Sequence, residues 1–426
     1  MFQKQLFSAA LGLSNPWQVT AIDFNAYAKR LDIHIDFTAG SKFSIGDEND
    51  DGTAYPVHDT VEKEWRHLNF FQHECYLHAR TPRVKLADGS VRLVTPPWAG
   101  KSRGFTLLFE ALLMQLLTCM PVKQVEKICH VDDNKLWRMI GKYVDTARCF
   151  VDMSGVLHIG VDETSIRKGH EYVSLFVDTD KPAVLFVTEG KDAKTFDRFS
   201  EDMSAHVEEG VVPKIESITM DMSPAFIKGA AEHFPEAEVV FDKFHIMKIF
   251  NEATDKVRRM EIRETEKNLN DELKDLLRNS RWALLKNKDN LTEKQYQKRM
   301  SIEMKGKYIK AFRMLRMREN LQDIYVQSIS QIDFECRMRV LRNWLMHSKI
   351  EQAKEVGRMM KSHWNGIISW FKYKRTNAIL EGINSLIKAA AAKARGFKTF
   401  RNYSSIIYLI AGKLDFSMVN PNFKPT

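Results

Sequence analysis

Between residues 156 and 242, four short apolar runs end in an aspartate: Asp162 after HIGV, Asp178 after SLFV, Asp221 after SITM and Asp242 after VVF. A strand that closes on a carboxylate has its body in an apolar layer and its end at the rim, which restricts the fold to sheets whose strand ends open to solvent or ligand. Three β-like runs follow one another (VLHIGVD, EYVSLFVD, AVLFVTE), then alternate with helical patterns over 193–207 and 225–234. That order predicts an α/β layer with a mixed sheet. Ligands of open α/β sheets gather at the carboxyl ends of strands. Acids that converge there repel unless a cation joins them. Hard oxygen donors select magnesium or manganese, and two such ions can clamp the attacking and leaving oxygens of a phosphoryl displacement. Taken singly, each of these acids also reads as an ordinary turn residue.

The chain has 426 residues, enough for two to four domains. Ahead of the α/β block, VTAIDF and LDIHIDF alternate about Asn25 as a hairpin, HECYLHAR and SVRLVT read as further strands, and Pro96-Pro97 marks a boundary. Helical pattern then runs over 104–150. Its apolar part, 105–120, carries Glu110 and Gln115 and is too short to span a bilayer, so it reads as a core helix. FTLLFEALLMQLLTC, PVKQVEKIC and KLWRMIGKYVDTA form a support helix, a first helix with Pro121 at N1, and a second helix with Asp133 as its N-cap. As a helix-turn-helix this would face DNA with Asn134, Lys135, Arg138 and Lys142. The turn HVDDN lacks glycine, and the pattern suits a plain three-helix bundle equally well. After residue 244 the chain is helical and basic, and a helix over 377–393 closes at Arg395-Gly396.

Apolar residues make up 44% and charged residues 28%, which excludes a disordered or fibrous chain. The net charge of +9 favours a polyanionic partner. Five scattered cysteines without a CxxC pair point to a reducing compartment and no disulfide frame. With no cleavage-like site after the first residues, a cytoplasmic protein is expected. GDENDDG resembles the first half of a calcium loop, but His58 stands where the twelfth-position acid belongs. His67, His73, Cys75 and His78 fit no zinc spacing and read as partly buried side chains.

Glu381 lies in RTNAILEGINSLIK, sharing a helical face with Asn377, Asn384 or Ser385, and Lys388. From 371 to 401 it is the only acid among eight Lys or Arg, a setting suited to a metal and a phosphate backbone together. The order Asp162, Asp221, long helical stretch, Glu381 resembles the DDE transposases. More closely, the chain resembles the ISL-three insertion-sequence family: LFSAALGLSNPW, WRHLNFFQHECYLHARTPRV, PPWAGKSRGFTLLFE, GVDETSIRKGHEYVSLFVD, MDMSPAFIKGAAEHFPEAEVVFDKFHIMK and TNAILEGINSLIKAAAAKARGFKTFRNY run in its order.

The resemblance implies an α/β RNase H-like catalytic core with a large all-helical insertion, preceded by a small β-rich N-terminal module and a helical helix-turn-helix domain. The expected segments are 1–98 for the β-rich module, 99–152 for the helix-turn-helix, 153–250 and 371–426 for the core, and 251–370 for the insertion. It implies that Asp162, Asp221 and Glu381 are catalytic and hold two Mg2+ (or Mn2+) ions. Glu163 is left as a turn residue. Arg167, Lys168, Arg375, Lys388 and Arg395 become candidate DNA phosphate contacts, with Arg375 substituting for an arginine that many such enzymes carry at the position of Asn377. The expected partners are double-stranded DNA, as terminal inverted repeats and target, and a second copy of the chain, in a bacterial cytoplasm at the nucleoid. A regulator derived from a transposase, or a nuclease that cuts without joining, are the alternatives. The family's zinc-binding cysteine pairs fall about where this chain has GDENDDG and KLADGS, and both pairs are absent, so no zinc is expected.

Overall fold

The computed structural model describes residues 2–45, 52–165, 172–208, 214–267, 271–305, 309–374 and 378–423. The chain divides into two compact units, Met1–Val151 with Ile387–Thr426, and Asp152–Leu386. The stretch 371–426, expected as one segment, is therefore shared between them.

In the first unit a short helix, α1 (Phe2–Ala10), precedes a sheet of β1 (Trp17–Asn25), β2 (Arg30–Phe37), β3 (Lys42–Phe43), β4 (Tyr55–Phe70), β5 (His73–Lys85) and β6 (Val91–Leu93). The strand order is β1-β2-β5-β4-β3, with β6 against β5, and only β2 and β5 pair in parallel. Alternation drives this layer. Leu31, Ile33 and Ile35 of β2 and Cys75, Leu77 and Ala79 of β5 all turn inward, where Trp17 meets Trp98 edge to face at 4.9 Å. β4 has no counterpart in the sequence reading. Its YPVHDTVEKEWRHLNF alternates exposed with half-buried side chains and therefore carries too few apolar residues to read as a strand. GDENDDG lies outside the described residues except for its final glycine.

Three helices follow: α2 (Leu107–Cys119), α3 (Val122–Cys129) and α4 (Asp133–Arg148). Two details differ from expectation. Pro121 stands just before α3 as its N-cap residue, and α4 is capped by Asp132, whose carboxylate accepts from Asn134 N and Lys135 N. Asp133 is instead the first helical residue and pairs with Lys123 at 2.8 Å. The missing turn glycine is replaced by His130, which adopts a left-handed conformation (φ 54°) at the end of α3.

In the second unit β7 (His158–Ser165), β8 (Tyr172–Asp178), β9 (Ala183–Glu189), β10 (Ser217–Met220) and β11 (Glu238–Phe241) form a sheet of order β11-β10-β7-β8-β9. β7, β8 and β9 are an antiparallel meander, and β7, β10 and β11 run parallel. Helices α5 (Lys194–Ala205) and α6 (Pro224–His233) join the last strands. An aromatic layer holds α5 to the meander, with Phe176 and Phe199 stacked at 4.2 Å. Full burial of each such ring contributes about 1.5–3 kcal/mol. Gly229 lets α6 approach α5, since a Cβ there would lie 2.6 Å from Phe196 Cδ2.

A helical run follows: α7 (Lys243–Lys267), α8 (Asp271–Leu277), α9 (Arg281–Leu285), α10 (Glu293–Met304), α11 (Lys310–Gln327), α12 (Gln331–Met346), α13 (Glu351–Ser362) and α14 (Trp364–Tyr373). Its basic surplus is partly internal. Arg299 pairs with Glu319, and buried Glu261 accepts from Lys310 N and Ala311 N, capping α11 from a distance. α15 (Ala378–Ala394) begins in this unit, and its residues from Ile387 group with the first, as does α16 (Phe400–Ala411). Among the described residues no helix is long and apolar enough to cross a membrane.

Candidate active site

β7 and β10 are paired in parallel register, Ser217 with His158, Ile218 with Ile159 and Thr219 with Gly160. Extending that register by two residues sets Asp221 level with Asp162, on strands about 4.8 Å apart and with the same side-chain parity. Extending the β10–β11 register by one residue sets Asp242, which is buried, level with Asp221. Asp178 is excluded from this edge by topology. β8 is antiparallel to β7, so Asp178 pairs with Ile159 near the start of β7, where its carboxylate accepts from Asp180 N at 2.7 Å and Lys181 N at 3.0 Å to close a turn.

α15 crosses β7 at Gly160, where a Cβ would run into Leu380. One turn on, Asn384 Nδ2 donates to Asp162 Oδ2 at 2.7 Å. Asn384 is buried, and its Oδ1 has no hydrogen-bond partner among the described residues. Asp162 Oδ1 accepts from the backbone N–H of Glu163, and Asp221 Oδ1 accepts from Ser223 N at 2.9 Å where α6 opens. Glu381 is exposed in the first turn of α15, three residues before Asn384. Among the described residues, Asp162, Asp221 and Glu381 do not have carboxylate oxygens all within 4.8 Å of one another.

Glu163 is a strand residue, not a turn residue: it pairs with Ser174. Its pKa is raised, first by burial and next by Asp221, with a smaller push from Asp162, while Lys191 opposes. The strand ends therefore gather negative charge beyond the acids singled out in the sequence, and adjacency to Asp162 was the signal that could have marked Glu163.

On α4, Asn134, Lys135, Arg138 and Lys142 are all exposed. Lys388 and Arg395 are exposed as well, and Arg395 (φ 60°) with Gly396 ends α15 in a left-handed turn, Gly396 N donating to Ala391 O. Arg167, Lys168 and Arg375 lie outside the described residues.

Residues 159–407 match the transposase family model of ISL3, and residues 94–144 match the helix-turn-helix domain of the same family. The chain belongs to the ISL3 family of insertion-sequence transposases. It is similar to the transposase of IS1001 from Bordetella parapertussis, 26% identical over 80% of this chain and 82% of that protein. It is also similar to the transposase of IS1557 from Mycobacterium tuberculosis, 24% identical over 79% of each chain. The helix-turn-helix, left open against a three-helix bundle by pattern alone, is settled by the family match.

Residues 52–85 match the zinc finger of the transposases of IS204, IS1001, IS1096 and IS1165. This overturns the expectation that zinc plays no part: β4 and β5 are the body of a zinc-finger module. Within the matched stretch Cys75 is the only thiol, turned into the core and pushed up to about 12 by burial. His67, lowered to about 4 by burial, contacts Thr106 Oγ1 at 2.9 Å, and His73 also faces inward. His78 points to the opposite face of β5. There Asp32, Glu64 and His78 bring one donor atom each within 4.8 Å of one another, with His78 Nε2 2.6 Å from Asp32 Oδ1. The set offers two oxygens and one nitrogen and none of the thiolates of ordinary structural zinc sites. Arg30, which bonds both carboxylates, would have to yield to an ion.

Proposed function

We propose that the second unit is an RNase H-like catalytic core carrying a helical insertion, and that Asp162, Asp221 and Glu381 are its catalytic, metal-holding residues. The observation that carries the reading is the level placement of Asp162 and Asp221 on parallel strands with α15 joined to Asp162 through Asn384. A three-strand antiparallel meander extended by parallel strands from its first member, then closed by a late helix, supports the fold assignment. A set of three carboxylates is chemically suited to magnesium or manganese, and the orphaned Asn384 Oδ1 offers an acceptor for an ion-bound water. Two such ions would supply Lewis acidity to an attacking oxygen and to a leaving oxygen.

The chain's own residues do the rest. Asn384 fixes the Asp162 carboxylate, and Ser223 N orients that of Asp221. The exposed face of α4, through Asn134, Lys135, Arg138 and Lys142, binds the DNA of the terminal inverted repeats. Arg167, Lys168, Arg375, Lys388 and Arg395 neutralise phosphates of the element ends and target DNA. Water attack on a phosphodiester at the element end breaks its P–O3′ bond and leaves a 3′-hydroxyl and a 5′-phosphate; that 3′-hydroxyl then attacks a phosphodiester of the target strand, joins to it and releases a target 3′-hydroxyl. Bringing two ends together requires at least two copies of the chain. The zinc implied by the N-terminal module would be held by Asp32, Glu64 and His78 and would link β2, β4 and β5.

The test is an end-cleavage and joining assay on the DNA that flanks the coding region. Asp162→Ala, Asp221→Asn and Glu381→Ala should each lower both steps on the order of 10³-fold, the scale of losing transition-state charge stabilisation. Retention of both activities by any of these variants would remove that residue from the site, and cleavage without joining by the parent would make the protein a nuclease.

A further inference from the structure

The first unit contains a cleft of about 700 Å³ between its sheet and its helix-turn-helix. β4 and β5 supply one wall, the turn before α4 and α4 itself supply the other, and the loop 100–105 supplies the floor. Lys101, Arg103, Lys135, Arg138 and Lys142 line it, against Glu64 and Asp132. Both acids are already engaged, Glu64 by Arg30 and Asp132 by the backbone of α4. The cleft is therefore a concentration of positive charge.

The loop is built, not incidental. Glu110 of α2, fully buried, accepts from Lys101 N at 2.9 Å, Ser102 N at 2.6 Å and the Tyr143 hydroxyl at 2.7 Å. Asn420 donates in turn to Tyr143 Oη and to Leu107 O. Gly100 is required by this packing, since a Cβ would lie 2.6 Å from Glu110 Cδ. Gly104 (φ 85°) turns the loop back, so that Arg66 N donates to Gly104 O and Thr106 N to Arg66 O, fastening it to β4. Lys142 Nζ donates to Lys101 O at 2.8 Å, which ties α4 to the same loop. Burying an acid is costly unless its oxygens are hydrogen-bonded, and the three donors that offset the cost here also pin the loop to α2 and α4.

We propose that this cleft holds a DNA backbone, with Lys101 and Arg103 taking phosphates beside those taken by Lys135, Arg138 and Lys142, and that Glu110 is the positioning residue of the loop. The inference rests on the DNA-binding role of the helix-turn-helix and extends it: the zinc-finger module and the helix-turn-helix then grip one duplex through a shared wall, not as separate beads.

The test uses the full chain and a double-stranded oligonucleotide of random sequence, with affinity measured across a salt series. Each phosphate contact contributes about 0.9 to the slope of log affinity against log salt. Lys101→Ala with Arg103→Ala should lower that slope by about 2 and weaken binding alike for any sequence. An unchanged slope in this pair, with a fall in Lys135→Ala plus Arg138→Ala, would overturn the cleft while leaving the helix-turn-helix reading intact. No change in either pair would remove the DNA-binding role of this face of α4 as well. Glu110→Gln should lower the slope by itself and add nothing in the Lys101→Ala, Arg103→Ala background. Additive falls would show that Glu110 does not act through the loop. Both lysine and arginine side chains of the first pair are exposed, so that arm stands whether or not the Glu110 variant folds.

Discussion

Glu110 and the acids at the ends of β7 and β10 are carboxylates treated in opposite ways. Glu110 is enclosed by donors: two amides and a phenol converge on it. Its pKa is raised by burial alone, with every hydrogen bond pulling the other way. Glu163, Asp162 and Asp221 sit half-buried, and Glu163 is raised by burial and then by the like charges of Asp221 and Asp162. The first arrangement is complete and structural. The second is like charge gathered at strand ends, the arrangement proposed above to hold ions. Burial by itself does not separate structural from functional acids; the sign of the neighbours does.

That contrast can be broken most directly at Asn384, which belongs to the second arrangement but, like the donors around Glu110, serves a single carboxylate. Asn384→Ala should cut cleavage roughly 10–100-fold, the range for partners that orient metal-holding ligands, with little change in DNA affinity. A loss confined to affinity, or no loss, would return Asn384 to the packing of α15.

Glu110→Gln tests the structural side. Gln keeps an acceptor but cannot serve all three donors, so unfolding by denaturant should show a loss of about 1–3 kcal/mol in the first unit. The pH dependence has a definite sign. A folded pKa above the unfolded one means that the stabilisation belonging to Glu110 is full below the ordinary carboxylate range and is lost as pH rises through the folded value. The difference in stability between parent and Glu110→Gln should therefore narrow from mildly acid to neutral pH. A difference that widens over that range would mean that folding lowers the Glu110 pKa instead of raising it.

Much of this was legible beforehand because the chemistry is local. The strand-end aspartates, the hairpin of β1 and β2 and the helix-turn-helix pattern depend on runs of a few residues. What escaped depends on partners far along the chain or on the face a side chain takes. β4 is solvated on one side and so lacks an apolar signature. His78 was grouped with His73 and Cys75, yet alternation sends it to the other face, toward Asp32 and Glu64. Glu110 counted only against a membrane span, because the amides it holds precede its helix and no local pattern joins them. The β-rich module at the N-terminus was legible, but its zinc was not expected because the cysteine pairs are missing, whereas residues 52–85 match a zinc finger.

The smallest effect is expected at Glu163, and it sharpens the contrast most. If the acids at the strand ends formed one undifferentiated cluster, removing any of them would be equally damaging. The register argues otherwise: along β7 the side chains alternate, so Asp162 shares parity with Asp221 and Glu163 does not. Glu163→Gln removes a like charge from beside Asp221 without removing an oxygen donor from the proposed set. Cleavage should stay within about tenfold of the parent, the ordinary range of one neighbouring charge at about 1.4 kcal/mol. Its metal requirement should shift toward lower affinity, since one negative charge has left the site. A loss as large as that of Asp162→Ala, measured in the same assay, would place Glu163 in the catalytic set and make β7 the donor of two ligands.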